Sequence, residues 1–319
     1  MFINYKSGRK IFRNVVVTGG AGFIGHHLIK KLTKICKKII VIDNYSTGYN
    51  KTFPKNVVLI KKNCEDKSIF KYLEKYKIDS IVHLAGVSSV EMSFDDPVTD
   101  ANSNIISTVN LLNFTKQKNI KNFVYASSMC VYGNLKKNIK EMQKTEPISF
   151  YGLSKITAEK YIQFFDNSNT SKTILRLFNV YGPGTDENNK KHGMFGIYLN
   201  QILKKKSILV KGSLSRYRDF IYIDDVISII IKSMMIKDNK NHIFNVCTSK
   251  KTTVKNLINN LSLELKVKRK IVLKGNTPGD QFGIYGNNKK IKKKFKIKKF
   301  IDIKEGIKKI INNKWMFLL

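Results

Sequence analysis

A tyrosine four residues ahead of a lysine puts a phenol and an ammonium on one face of a helix, where the cation favours the phenolate and makes it a base. The pattern occurs three times, at Tyr132–Lys136, Tyr151–Lys155 and Tyr285–Lys289. With 14 tyrosines in so lysine-rich a chain it should arise about twice by chance, so spacing alone does not choose. Context does. Only Tyr151 opens a long helical pattern, behind a turn holding Pro147 and directly after the fifth strand pattern. That places it over the carboxyl end of a parallel sheet, where ligands of such sheets bind. Ser128, at the end of Ala126-Ser127-Ser128, either hydrogen-bonds the reacting hydroxyl or simply caps the strand.

A second constellation precedes it. Thr18-Gly19-Gly20-Ala21-Gly22-Phe23-Ile24-Gly25 follows an apolar strand and opens a helix, the context that a dinucleotide fingerprint requires. Gly20, Gly22 and Gly25 satisfy GxGxxG, and Gly19, Gly22 and Gly25 satisfy the alternative GxxGxxG spacing. Missing side chains let the backbone turn sharply and approach a pyrophosphate, whose charge meets free N–H groups and the positive helix end. Asp43 ends the second strand pattern 18 residues beyond Gly25 and suits the ribose hydroxyls. A carboxylate there repels a 2′-phosphate, which favours NAD over NADP. Asn63 and Cys64, just after the third strand, either border the adenine or merely end the strand. Tyrosine titrates near 10, so a base at neutral pH needs a downward shift of roughly three units. Lys155 and the positive nicotinamide are the charges expected to supply it.

The elements that must hold these groups alternate. Candidate strands are Asn14–Thr18, Lys38–Ile42, Val57–Lys61, Ser80–Leu84, Phe123–Ala126 and Thr173–Leu177, mostly apolar throughout, as strands covered on both faces should be. Helical patterns lie at Phe23–Thr33, Ile69–Tyr76, Asn104–Gln117 and Tyr151–Phe165. The expected fold is α/β, a Rossmann-type doubly wound parallel sheet. After about Tyr181 the pattern loosens, with loops holding Pro183, Gly184, Gly212, Pro278 and Gly279 between elements such as Asp224–Met235 and Val254–Leu265. This reads as residues 1–180 forming the dinucleotide domain, with a return near 218–249, and 181–319 forming mainly a smaller α/β substrate domain.

Net charge is +36, which by itself would suggest a polyanionic partner. Only six basic residues are arginine and 53 are lysine, beside abundant asparagine and isoleucine, all three with A/T-rich codons. Base composition explains the lysines as well as function does, and the better reader of bases and phosphates is scarce, so nucleic acid is not the expected partner. Lys289–Lys299, with Ile291, Phe295 and Ile297, reads as an amphipathic element with a solvated basic face. Cys36, Cys64, Cys130 and Cys247 are widely spaced, form no CxxC and are expected to be reduced thiols without zinc. No apolar run reaches the ~18 residues of a membrane span, and Met1–Asn14 lacks the apolar region of a signal peptide, so the expected location is the cytoplasm.

Taken in order, the glycine turn, Asp43, Ser128, Tyr151 and Lys155 resemble the extended short-chain dehydrogenase/reductase family, specifically its nucleotide-sugar epimerases and dehydratases. Supporting segments are His83-Leu84-Ala85-Gly86, Ser127 to Gly133, Tyr151 to Lys155, Leu177 to Pro183, Arg218 to Asp225 and Pro278-Gly279-Asp280, spanning about Val15 to Lys290. The resemblance implies that Asn44, Leu84, Ala85 and Gly86 join the NAD contacts, along with Tyr151 and Lys155. It implies that Ser88, Ser128, Asn179, Phe195 and Arg218 contact a sugar nucleotide, Arg218 through a fork suited to phosphate. Asp224 and Asp225 read as a helix start, because acids favour that end, and no metal is expected. Within the family Tyr151 takes the proton of the sugar 4-hydroxyl while hydride passes to tightly held NAD. Dehydratases need an acidic pair after the serine, whereas this chain has Met129 and Cys130, so a 4-epimerase of a UDP-hexose, UDP-N-acetylhexosamine or UDP-hexuronate is the leading expectation. A 4,6-dehydratase or 4-ketoreductase is the alternative. A non-catalytic NAD-binding regulator or nucleic-acid-binding protein is another, against which intact Ser128, Tyr151 and Lys155 count. The chain departs from the family pattern at Thr277, where an arginine is usual and Lys274 can compensate, and at Asn63 in place of an aspartate. Ile284 falls near the position that gates bulk at the sugar C2. Family analogy also suggests a homodimer packed through Asn104–Gln117 and Tyr151–Phe165, and cell-envelope polysaccharide precursors as products.

Overall fold

The computed structural model describes residues 10–135, 138–166, 169–184, 193–275 and 282–312. The chain runs through β1 (Phe12–Thr18), α1 (Phe23–Leu32), β2 (Cys36–Ile42), β3 (Val57–Ile60), α2 (Ile69–Leu73), β4 (Ser80–His83), α3 (Val90–Asp95), α4 (Pro97–Ala101), α5 (Ser107–Gln117), β5 (Asn122–Ser128), β6 (Asn138–Ile139) and α6 (Phe150–Phe164). It continues through β7 (Ser171–Leu177), β8 (Asn179–Tyr181), α7 (Met194–Lys204), β9 (Ser207–Val210), β10 (Tyr217–Arg218), β11 (Phe220–Tyr222), α8 (Ile223–Ser233), β12 (Asn241–Val246), β13 (Thr252–Thr253), α9 (Val254–Leu265), β14 (Lys270–Leu273), β15 (Tyr285–Gly286), α10 (Lys289–Phe295) and α11 (Ile303–Asn312).

Seven strands form one sheet in the order β12-β7-β5-β4-β1-β2-β3. β1 pairs in parallel with both β2 and β4, and the parallel pairing extends outward to β3 and β5. Lys172 N donates to Lys240 O and Phe178 N to Val246 O, both strands advancing together, so β12 also runs parallel to β7. Strand order reverses at β1, between its neighbours β2 and β4, which makes the carboxyl ends of β1 and β4 the topological switch point. This is the doubly wound α/β sheet that the apolar strand runs imply.

Each central strand is buried on both faces: β4 and β7 have no exposed residue. Val16, Ile40, Ile42, Ile81, Phe123 and Ile174 of the sheet pack with Ile69, Leu111, Leu112, Ala158 and Ile162 of the helices in one core cluster. Burying each of the larger side chains contributes about 2 kcal/mol.

The chain divides into two compact units, the first taking residues 1–131, 147–176 and 227–244, the second 132–146, 177–226 and 245–319. These divisions differ from a boundary at 180/181. Residues 138–139 join the second unit because β6 pairs with β15, Asn138 opposite Tyr285 and Ile139 opposite Gly286. Glu141 Oε1 fastens the same segment by accepting from Asn245 N at 3.0 Å. The return segment narrows to 227–244, and Asp224 and Asp225 stand in the first turn of α8.

Candidate active site

In the first unit, β1 delivers the chain into the glycine turn. Gly19 has φ +69°, and a Cβ there would lie 2.8 Å from Ala85 N. A Cβ on Gly25 would sit 2.2 Å from Gly19 O and one on Gly20 2.6 Å from Val41 Cγ1, so these three glycines let strand, turn and helix meet. Gly22, the N-cap of α1, is different, since its Cβ would meet only Gly19 O at 3.4 Å. Protein packing does not demand glycine at that position. Phe23 and Ile24 open α1, where backbone N–H groups lack an intrahelical acceptor and the helix end is positive.

Asp43 follows β2 and is 8% exposed. Its Oδ2 accepts from Ala21 N at 2.8 Å and its Oδ1 from Tyr45 N at 2.8 Å, which ties the strand end to the glycine turn. Asn44 Nδ2 donates to Asn63 Oδ1 at 3.0 Å, so these two meet beside it, while Cys64 lies in the core cluster. Burial pushes the Cys64 thiol up to about 12, making it an inert packing group. The N–H groups of Leu84 and Ala85 donate to Thr18 Oγ1 at 3.2 and 3.1 Å, which brings the loop after β4 against the glycine turn. Gly86 has φ +140° and abuts Asn104, and Ser88 is exposed in the same loop.

β5 ends at Ser128, and α6 begins with Ser149 as N-cap, its hydroxyl accepting from Gly152 N at 3.1 Å. A Cβ on Gly152 would lie 2.7 Å from Cys130 O, so that glycine lets the start of α6 press onto the end of β5. The result unites Ser128, Tyr151 and Lys155. Ser128 Oγ accepts from Cys130 N at 3.2 Å and is the side chain that favours the Tyr151 phenolate. Lys155 Nζ donates to Ala126 O at 3.1 Å and lies 5.8 Å from the Tyr151 ring centroid and 4.9 Å from that of Tyr125. The rival tyrosine–lysine pairs stand elsewhere. Tyr132 is buried with its hydroxyl donating to Asn245 Oδ1 at 2.6 Å while Lys136 lies outside the described residues, and Tyr285 is in β15 with Lys289 in α10.

Electrostatics modifies one expectation. In the polypeptide alone burial raises the Tyr151 phenol; Cys130 pushes the same way, the Ser128 hydrogen bond opposes it, and Asp100 adds a smaller upward push. Burial lowers the Lys155 ammonium to about 8, against the carboxylates of Asp100 and Glu159, which hold it up. Lys155 therefore loses its proton at lower pH than an exposed lysine does.

In the second unit Asn179 opens β8; its side-chain oxygen is buried and finds no donor among the described residues. Phe195 is 3% exposed, its ring 4.8 Å from Tyr181, and its backbone N–H lies in the first turn of α7. Arg218 is 4% exposed and donates through Nη1 to Tyr217 O at 2.8 Å. Ile284 is fully buried, whereas Thr277 and the Pro278-Gly279-Asp280 segment lie outside the described residues.

The model of the NAD dependent epimerase/dehydratase family matches residues 15–247, from the first strand of the sheet past its last. The chain belongs to that family. It is 32% identical over 305 residues to the putative UDP-glucose 4-epimerase of Methanocaldococcus jannaschii, covering 95% of this chain and 98% of that one. Among solved structures it is similar to the UDP-glucose 4-epimerase of Thermotoga maritima in complex with UDP-glucose, with TM-score 0.89, 30% identity and coverage of 96% and 100%. The UDP-N-acetylglucosamine 4-epimerase of Methanobrevibacter ruminantium in complex with UDP-N-acetylmuramic acid gives TM-score 0.88 at 30% identity, covering 96% and 98%. The protein is thus an NAD-dependent epimerase of the extended short-chain dehydrogenase/reductase type. The permissive Gly22, the open N-terminus of α1 and the fixed Asp43 carboxylate fit that cofactor.

Several residues around this epimerase site were given no role by the sequence. His83 is fully buried, with Nδ1 2.7 Å from Thr18 Oγ1 and Nε2 3.0 Å from Thr108 Oγ1. Burial pushes it down to about 3, so it is neutral. Glu159, one turn beyond Lys155, is fully buried, accepts from Ser127 Oγ at 2.5 Å and is gripped by Arg176, whose Nη2 lies 2.7 Å from Oε2. Asn104 sits in a π-helical turn, Asn102–Ile106, between α4 and α5, with its side-chain oxygen lacking a donor among the described residues. Such turns are frequent at functional sites. Glu159 four residues after Lys155 is the one hint the spacing offers.

Proposed function

We propose that the protein is a nucleotide-sugar 4-epimerase acting on a UDP-hexose, a UDP-N-acetylhexosamine or a UDP-hexuronate through a 4-keto intermediate, as a homodimer in the cytoplasm. The reading rests above all on one observation: Ser128 closes β5 against the start of the helix that carries Tyr151 and Lys155, and Met129 and Cys130 rather than acidic residues follow it. Ser128 orients the sugar 4-hydroxyl, and Tyr151, as phenolate, takes its proton. Lys155 balances the phenolate charge from the same helical face. NAD, which the glycine turn and Asp43 would hold, would supply the hydride acceptor and donor for C4. Tyr151 gives the proton back to the C4 oxygen once the keto sugar has presented its other face. This cycle is closed with one acid–base group, so it needs nothing from Met129 or Cys130. Elimination of water would need a further acid and base.

For the nucleotide diphosphate, support comes from the second unit. The backbone N–H of Phe195 lies at a helix start, Arg218 carries a guanidinium, and the orphaned Asn179 oxygen is the kind of buried acceptor that a ligand donor satisfies. Products of such a reaction suit the assembly of cell-envelope polysaccharides. The test is incubation with a panel of UDP-, GDP-, CDP- and dTDP-sugars without added reductant, followed by NMR. Interconversion at C4 is expected; a stable 4-keto-6-deoxy sugar would overturn the reading.

A further inference from the structure

The second unit holds a buried carboxylate to which the proposed cycle assigns nothing. Asp219 lies between β10 and β11 and is fully buried. Its Oδ1 accepts from Thr248 N at 2.8 Å and from Thr248 Oγ1 at 2.6 Å, and its Oδ2 from Ser249 N at 2.9 Å and from Gly286 N at 3.4 Å. These four donors are neutral. Burial pushes the carboxyl up to about 6 against their pull, which still leaves it a carboxylate at neutral pH. A charge is costly to bury, so a carboxylate at a strand corner points to the groups that it holds.

We propose that Asp219 is a positioning residue for the nucleotide diphosphate, its carboxylate fixing the strand corner from which Arg218 and Asn179 are presented, a role that rests on the substrate reading above. Two lines of contact lead from the carboxylate to those groups. Gly286 N ties Oδ2 to β15, the far end of the segment that begins at Phe282. Phe282 O accepts from Tyr217 N at 3.2 Å and from Arg218 Nη1 at 3.5 Å, so the carbonyl against which the guanidinium rests belongs to a segment that Asp219 anchors. On the other side, Asp219 O accepts from Asn179 N at 3.1 Å and leads into the pairing of β11 with β8, where Phe220 stands opposite Asn179. The loop gripped by Oδ2 through Ser249 N is braced in turn, since Ser249 Oγ accepts from Asn288 N at 3.0 Å, just beyond β15. Without the carboxylate, Arg218 and Asn179 keep their chemistry and lose their aim. Ser128, Tyr151 and Lys155 lie in the other unit, so binding of the diphosphate suffers while the transfer steps do not.

The experiment is Asp219→Asn, which keeps the size of the side chain but turns one acceptor into an N–H donor facing backbone N–H groups. Binding of UDP alone is measured by calorimetry, and kcat and KM on the UDP-sugar that the enzyme turns over, with NAD content and thermal melting followed alongside. The expected result is a rise of roughly ten-fold in both the UDP dissociation constant and KM, with kcat within about three-fold of the wild type and NAD retained. Should Asp219→Asn fail to fold, Asp219→Ser, whose hydroxyl replaces the carboxylate, is expected to show the same split. Unchanged UDP affinity overturns the proposal whatever happens to the melting temperature, and so does a loss of kcat or of NAD in step with the affinity. Arg218→Gln separates the two layers. If it binds UDP as tightly as the wild type, the diphosphate reading falls and this inference with it; if it weakens UDP while Asp219→Asn does not, this inference alone falls.

Discussion

Tyr151 sits where burial works against the phenolate, and the groups that favour ionisation are few. The Ser128 hydroxyl is one; the ammonium four residues on is the other. Removing the phenolic oxygen with Tyr151→Phe is expected to lower kcat by roughly 10²- to 10⁴-fold, the range of a lost acid–base group, with KM for the sugar nucleotide little changed. Steady-state assays at saturating sugar nucleotide check this. Lys155 predicts the alkaline limb. Its ammonium is held at about 8, so kcat should fall as pH rises through about 8, well below where an exposed lysine titrates. A profile flat beyond pH 9 would contradict that assignment. At this scale the sequence showed Ser128, Tyr151 and Lys155 because each sits at a nameable place, a strand end or a helix start. Asp100 was invisible because residues 95–103 carry no helical or strand period, and its burial comes from tertiary packing.

Among the elements, the strands were legible because both of their faces are covered, leaving continuous apolar runs at β1, β2 and β4. α3 and α4 were not, being six and five residues long, too short for a helical period to emerge. The pairing of β6 with β15 was equally hidden, since two-residue strands have no alternation to read. The glycine turn offers a sharp test of which glycine serves the fold and which the cofactor. Gly25→Ala drives a Cβ into Gly19 O and should destabilise the protein, whereas Gly22→Ala should leave the melting temperature nearly unchanged and strip bound NAD. Thermal melting combined with NAD released on denaturation distinguishes them. Beneath the catalytic helix, Glu159→Gln would leave the Arg176 charge unmatched in the interior, at a cost of about 3–5 kcal/mol. Urea unfolding measures that loss.

On the scale of the whole molecule, the chain's net charge of +36 belongs to a nucleotide-sugar enzyme. Among the described residues no helix is long and apolar enough to cross a membrane. The helices named for dimer contact do carry apolar side chains into solvent: Ile106 is 44% exposed, Leu153 51%, Tyr161 46% and Phe164 84%. Replacing Tyr161 and Phe164 together by glutamate should convert a dimer to monomer in light scattering, and a wild-type monomer would discard the homodimer outright. The division into units was only half readable. Hydropathy marks the end of regular alternation near Tyr181, but the excursion of 132–146 depends on contacts with residues more than a hundred positions away.

The buried imidazole of His83 has a direction. Thr18 Oγ1 already accepts from Leu84 N and Ala85 N, so its own proton points to His83 Nδ1. Nε2 must then carry the ring proton and pass it toward Thr108 Oγ1, whose hydroxyl in turn donates to Asn104 O at 2.7 Å. Every dipole in that row is aligned from the cofactor turn to the π-helical turn, and reversing one link would require reversing all of them. The ring is therefore locked in a single tautomer, and the end of β1 is joined to the π-helical turn by a wire of fixed polarity that should survive in acid far below the usual histidine range.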